Sequence, residues 1–304
     1  MKANSKKPRV SKSRLVEWFQ AYTFLAPALL VALVFFVFSI VFSIYLSFNN
    51  VNLFANTYSF IGIENYARMF SDGRAVIALR NTATFAAVVV PAQTIAALLV
   101  AYVLASDKLK GKKMFRLIYF LPTLTSSSAL TLIFMFIFNV YGPVNELLLN
   151  VGLLSEPINF LQNPEYSLKV IMVMNVWSTV PMFMTIYLAS LVDLPKSLYE
   201  AADIDGASSW NKLIYITVPY LRPITTYVVL MGIIGTFQLF DQAYIFSNGS
   251  GGPANSTLTV ALMIYQYAFG QMNSMGYASA LAITLAAIIF VVSMIAEKVN
   301  NRMG

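Results

Sequence analysis

Six stretches of this chain, at about residues 22–46, 82–105, 117–138, 170–191, 224–246 and 277–295, stay apolar for close to or beyond the roughly 20 residues that cross a bilayer's hydrocarbon. None holds a full charge in its central portion; Asp241 lies near the end of the fifth, and Lys169 just precedes the fourth. A chain built this way has lipid for its solvent, and its spans must be helices that satisfy their own backbone. Composition agrees: 58% of the residues are hydrophobic and 11% charged, where soluble domains carry roughly a quarter charged. The first run follows basic residues, as a signal peptide would. It is much longer than a signal's roughly 7–15-residue apolar region and lacks a small-residue cleavage site, so it is expected to remain as a helix.

Basic residues orient the spans. Of the 20 Lys and Arg, all but Arg68, Arg74, Arg80 and Lys169 fall in the N-terminus, the second connection (108–116), the fourth connection (192–222) or the tail. Such an excess marks the cytoplasmic side and predicts that both termini are cytoplasmic. The net charge of +7 therefore speaks of topology, not of nucleic acid. The chain reads as a basic cytoplasmic N-terminus (1–21), a six-helix transmembrane domain (22–299) and a cytoplasmic tail (300–304). Two long external loops, about 48–81 and 139–168, mix apolar and polar residues and are expected to form short interfacial helices. The fifth connection, 247–275, carries no charge.

Several chemistries are excluded. Cys and His are both absent, which removes thiol chemistry, disulfides, Cys/His zinc sites and a Ser-His-Asp triad; no metal site or catalytic group is expected. Gly111-Lys112 is the only Gly-Lys pair and lacks the upstream glycine of a phosphate-binding loop, so the chain carries no P-loop for ATP hydrolysis. Ion-coupled carriers keep ionisable residues at membrane depth, and here Asp241 is the sole candidate. A neutral polar path remains. Asn175, Thr179 and Met182 fall at i, i+4, i+7 on the fourth helix, and Gly232, Thr236 and Leu239 do so on the fifth. Beside Trp177, Phe237 or Phe240, these hydroxyl and amide groups would offer hydrogen bonds next to apolar faces. The same residue types are also ordinary helix-packing residues in membranes. Asp241 likewise reads as a cap or partner near the turn Gly251-Gly252-Pro253.

The fourth connection, residues 192–222, far exceeds the roughly 2–8 residues that join bundle helices. Pro195 sits where a helix can begin, and good helix formers follow to Ala202. Ala201 and Ala202 allow close approach of another surface, and Gly206 supplies a bend. Trp210, Leu213 and Ile216 recur at i, i+3, i+6, a face expected to pack on the end of the bundle. Two readings follow from these residues alone: a helix presenting a small-residue surface to the cytoplasm, or an amphipathic helix lying on lipid headgroups.

The pattern Glu200-Ala201-Ala202, three residues, Gly206, nine residues, Ile216, one residue, Val218-Pro219 resembles the EAA motif of binding-protein-dependent ABC importer permeases, which usually have Leu at the place of Val218. The resemblance covers nearly the whole chain and is to sugar-importer permeases of the MalF/UgpA/LacF type. "FIGIENYARMFSD", "YFLPTLTSSSALTLIFMFIFNVYGPVNELL" and "NVWSTVPMFMTIYLASLVDLPKSLYEAADIDGA" are similar to their first external loop, third helix and run into the coupling loop. "FDQAYIFSNGSGGPANST" resembles the segment that marks MalF-like rather than MalG-like partners, with Ser247 where Thr is usual and Gly249-Ser250 lengthening the turn. The resemblance implies an all-α membrane protein with the type I ABC importer (MetI/MalF-like) permease fold, in the bacterial inner membrane, not itself an enzyme. It implies that Glu200 is the main contact of a coupling helix docked in an ATPase cleft, with Ala201, Ala202 and Gly206 allowing close packing and Pro219 fixing the exit. It further implies a second, MalG-like permease, two copies of an ABC ATPase that bind ATP and Mg, an extracytoplasmic solute-binding protein and a sugar substrate. An importer of glycerol phosphate or another polar solute stands as the neighbouring reading, and an ion-coupled secondary carrier as the one from another class.

Overall fold

A computed structural model describes residues 12–52, 56–106, 111–270 and 272–302. Most of the basic N-terminal stretch, Lys108, Lys110 and the last two residues of the tail lie outside the described residues. The first traverse is α1 (Lys12–Val31), a π-helical stretch (Ala32–Phe38) and α2 (Ser39–Ser47). A hairpin of β1 (Asn49–Asn52) and β2 (Thr57–Phe60) follows, antiparallel with Asn49 opposite Phe60. Helix α3 (Glu64–Ser71) then leads into α4 (Gly73–Ala105), the longest helix. The external loop thus contains the expected short helix and, in addition, a hairpin. Its β2 segment, Thr-Tyr-Ser-Phe, is β-branched and aromatic and so favours strand.

The third traverse departs from the single span expected at 117–138. Helices α5 (Lys112–Leu124) and α6 (Ser127–Ile137) meet at a bend of 102°. Pro122 sits in the last turn of α5, Thr125 is extended, and Ser126 caps a new helix by accepting a hydrogen bond from the Ala129 N–H (3.2 Å). Helix α7 (Pro143–Asn150) precedes the long α8 (Ser167–Val192). The fourth connection contains α9 (Lys196–Ile204), α10 (Ser209–Lys212), a π-helical turn (Leu213–Thr217) and α11 (Val218–Tyr220). The fifth traverse is one span, Arg222–Phe246, as expected, in which three non-helical residues separate α12 (Arg222–Phe237) from α13 (Asp241–Phe246). Helix α14 (Val260–Ala268) lies in the uncharged fifth connection, and α15 (Met275–Arg302) is the last traverse. Five helical stretches are long and apolar enough to cross a membrane, and six if the bent pair is one span.

Helices α4 and α8 run parallel and form the spine. In lipid there is no hydrophobic drive to join helices, so close contact comes from small residues and interhelical hydrogen bonds. The buried seam of α4 shows this, with Ala78, Ala86, Ala97 and Ala101 beside Thr82, Gln93 and Thr94. Three apolar clusters result. One gathers around Leu262, Met263, Tyr277 and Leu281, where α14 and α15 meet α4. A second joins Phe85 and Val89 to Ile171 and Met174. The third, around Met184, Tyr187, Leu221 and Val228, sits at the end that carries α9.

Candidate functional site

Between α4, α8, α12 and α13 opens a cleft of about 260 Å³. Asn175, Thr179, Gly232, Thr236, Leu239 and Asp241 all line it. The sequence faces on the fourth and fifth spans therefore meet in one place. Met182 is outside the cleft and 52% exposed. The lining follows Thr179 to Phe183 at i+4 instead, and Met182, one residue earlier, points about 100° away. Trp177 is likewise turned outward, resting against Phe134 with ring centroids 5.6 Å apart.

The break in the fifth traverse builds one wall. Gln238, Leu239 and Phe240 are non-helical, and all three line the cleft. Irregular backbone within a span is tolerated where it is buried in protein or lines a cavity, and here its polar groups are met. The Thr259 hydroxyl donates to the Leu239 carbonyl (2.7 Å), and the Leu239 N–H donates to the Thr236 carbonyl (3.3 Å). The opposite wall is α4, which contributes Gln93. This side chain is 1% exposed, and its Oε1 lies 2.8 Å from the Thr179 hydroxyl that donates to it. Sequence reasoning missed Gln93. It is the only amide in the run 82–105, which was the available signal. Gln238 and Gln242 add two more amides to the lining, and Phe183 and Phe240 add apolar faces.

Asp241 begins α13 at the cleft and does not cap the neighbouring turn. That turn holds itself. The Ser247 hydroxyl accepts from the Gly251 N–H (2.9 Å), and the Thr257 hydroxyl donates to the Gly252 carbonyl (2.8 Å). Gly252-Pro253 is a cis peptide. Gly251 takes a φ of +79°, and a Cβ there would press on Leu258 at 2.8 Å. The Asn81 side chain donates to the carbonyls of Asn255 (2.8 Å) and Leu258 (2.9 Å), fastening this loop to α4.

At the other end, α9 stands on the bundle with one side free. Pro195 is its N-cap, as its position suggests. Gly206 closes it with φ at +73°: the Ala207 N–H reaches the Ala202 carbonyl (2.8 Å) and the Gly206 N–H the Asp203 carbonyl (3.1 Å), the two bonds of a Schellman cap. Glu200, Ala201 and Gly206 are exposed and Ala202 is half-buried; no atom lies within 4 Å of a Cβ built on Gly206. Pro219 is exposed in α11. The inner side is tied down by Tyr199 and Thr217, whose hydroxyls lie 2.6 Å apart, by the ion pair of Lys212 with Asp203, and by the Tyr102 hydroxyl donating to the Ser209 carbonyl (2.8 Å). The inward face expected at Trp210, Leu213 and Ile216 is corrected. Trp210 is 65% exposed, and burial falls on Leu213, Thr217 and Leu221. The π-helical turn at Leu213–Thr217 widens the helix and moves the buried row to every fourth residue. Ile204 and Tyr215 are exposed as well, at 87% and 77%, which sequence reasoning did not single out.

Comparison with known proteins bears on both regions. Residues 90–304 match the family described as binding-protein-dependent transport system inner membrane component. The lactose transport system permease protein LacF of Rhizobium radiobacter is 36% identical over 287 residues, covering 94% of this chain and 96% of its own. The arabinooligosaccharides transport system permease protein AraP of Bacillus subtilis (strain 168) is 34% identical, covering 92% and 88% respectively. Among solved structures, a chain of a bacterial alginate ABC transporter, in complex with an alginate pentasaccharide-bound periplasmic protein, superposes with a TM-score of 0.80 at 19% identity over 96% of this chain and 97% of that one. At that identity the likeness speaks for the fold.

Proposed function

This chain belongs to the family of binding-protein-dependent transport system inner membrane components, of the carbohydrate-importer permease type, and from that premise we propose that it forms half of the translocation path of an ATP-driven importer for a sugar or oligosaccharide. The observation that carries the substrate class is the cleft itself. Its lining supplies hydroxyls and amides from Thr179, Thr236, Asn175 and Gln93 next to Phe183 and Phe240, and no cation. A sugar presents the matching surface of hydroxyls and C–H faces, and the relatives named for lactose and for arabinooligosaccharides support the same class. A phosphate-bearing solute would favour Lys or Arg along the path, and the lining has neither.

Energy comes from a separate ATPase subunit, present twice, which binds ATP and Mg²⁺. Helix α9 docks in that subunit: Glu200 makes the principal contact, Ala201, Ala202 and Gly206 let the two surfaces close, and Pro219 sets the return into α12. Closure of the ATPases pulls on α9. The pull reaches the cleft through the chain on both sides, because three residues join α8 to α9, and α10, the π-helical turn and α11 lead from α9 into α12. A second, MalG-like permease completes the path, and an extracytoplasmic solute-binding protein delivers the sugar at the α14 end. The assembly sits in the bacterial cytoplasmic membrane. Affinity purification of the chain from gently solubilised native membranes is expected to bring down a second permease and an ATPase, and the reconstituted assembly to accumulate a sugar only with ATP and the binding protein. Recovery of the chain alone, with uptake driven by an ion gradient, would overturn this reading.

A further inference from the structure

We propose that Gln93 is a substrate-binding, specificity-determining residue: its amide nitrogen donates a hydrogen bond to one hydroxyl of the transported sugar. The inference rests on the sugar reading of the cleft and deepens it. Five buried side-chain polar atoms among the described residues have no hydrogen-bond partner, on Gln93, Thr94, Ser127, Ser256 and Ser293. Of these residues only Gln93 lines the cleft. A buried donor without a partner is costly, and native proteins rarely keep one without use. The other end of the same amide is occupied, since Oε1 accepts from the Thr179 hydroxyl at 2.8 Å. The Thr179 hydroxyl has one proton and lies equally close, 2.8 Å, to the Asn175 carbonyl; its contact with Oε1 leaves Nε2 as the free end of the amide. Gly232, on the facing helix, leaves room for it: a Cβ there would collide with Gln93 Nε2. Three helices thus cooperate in presenting one donor, with α4 supplying the amide, α8 contacting its oxygen and α12 yielding space. Gln93 also stands in the middle of the apolar run 82–105 of α4, two residues after Pro91.

A hydroxyl is the fitting partner because it accepts from an N–H and still has a proton to give elsewhere. A site that hydrogen-bonds a substrate hydroxyl discriminates against the analogue lacking it, because the donor is then left unpaired. The test uses the assembled importer in proteoliposomes, with a panel of mono-, di- and oligosaccharides, and monodeoxy derivatives of the preferred one, as probes. Gln93→Met keeps the volume and removes the amide; Gln93→Glu keeps the acceptor for Thr179 and removes the N–H donors. Both are expected to lower uptake efficiency for the preferred sugar by about tenfold, the scale of one neutral hydrogen bond. Both should also lose discrimination against one particular monodeoxy derivative, while the complex assembles normally. Gly232→Ala, which displaces the amide, should give the same loss and add little to Gln93→Met. Variants that match the wild type, or that lower every sugar and derivative by the same factor, would overturn the proposal and leave Gln93 as a brace between helices. A wild-type importer inert toward the whole panel would instead sink the sugar reading, and the proposal with it.

Discussion

Asp72 shows how much a single side chain can hold together. It ends the first external loop, caps α4 by accepting from the Arg74 N–H (2.9 Å), and accepts from the hydroxyls of Tyr277 (3.0 Å) and Tyr267 (3.2 Å). The Arg68 guanidinium lies 4.3 Å from the ring centroid of Tyr277 and adds a cation–π contact to the cluster. Burial pushes the Asp72 carboxyl up, but the hydrogen bonds from Tyr277, Arg74 and Tyr267 outweigh it and hold the group below its ordinary value. The sign of the pH effect follows. A depressed carboxyl contributes stability that is complete above its unfolded value, near 3.9, and is lost as pH falls through the folded one. Thermal unfolding of purified wild type and Asp72→Asn should therefore differ most near neutral pH, with the wild type more stable, and the gap should close below about pH 4. A gap that stays constant to pH 3 would mean that the carboxyl charge contributes nothing. None of this was legible in the sequence, where Asp72 precedes Tyr267 by 195 residues and Tyr277 by 205. Pairing at that range is decided by which helices pack together, and linear patterning does not carry it.

Helix α9 is an element whose two features separate experimentally. Its Schellman cap needs the left-handed conformation that Gly206 supplies, and its exposed face needs Glu200. Gly206→Ala should cost the cap about 1 kcal/mol, because a Cβ disfavours positive φ. Hydrogen exchange at the Gly206 and Ala207 amides should quicken by about fivefold, with α4 unaffected. Glu200→Lys should leave that exchange unchanged and still abolish uptake and co-purification of the ATPase. Undiminished uptake in Glu200→Lys would remove α9 from the coupling role. The sequence foretold this helix well, since Pro195 and Gly206 are local signals with local consequences. It foretold the first, second, fourth, fifth and sixth spans for the same reason. The third span was read as straight because hydropathy averages over a bend. The Pro122–Ser126 punctuation and the three residues before Asp241 are visible only when caps are weighed against apolarity. The cleft was half legible for a related reason. Helical spacing could gather Asn175 with Thr179 and Gly232 with Thr236, but it could not choose between Met182 and Phe183 or bring α4 to the same place.

Across the whole molecule the two ends differ in what they leave exposed, and the difference bears on how the chain sits in the membrane. One end has the hairpin, α3 and α14 packed against α15. The other has α9 with Ile204, Trp210 and Tyr215 turned outward. Along the sides, the first traverse has only 6% of its apolar window buried, so lipid or another membrane protein must cover it. The distribution of Lys and Arg predicts that the α9 end faces the cytoplasm, which is also where the proposed ATPase would be found. Because the chain has no cysteine, single cysteines can report this directly. Cysteine at Tyr141, 93% exposed beyond the end of α6, should react with a membrane-impermeant maleimide in intact spheroplasts. Cysteine at Ile204 should react only after the membrane is opened, and more slowly when the ATPase is present than when it has been stripped away. Labelling of Ile204→Cys in intact spheroplasts would reverse the topology. Equal labelling with and without the ATPase would leave the topology standing while removing the outward face of α9 from the docking surface.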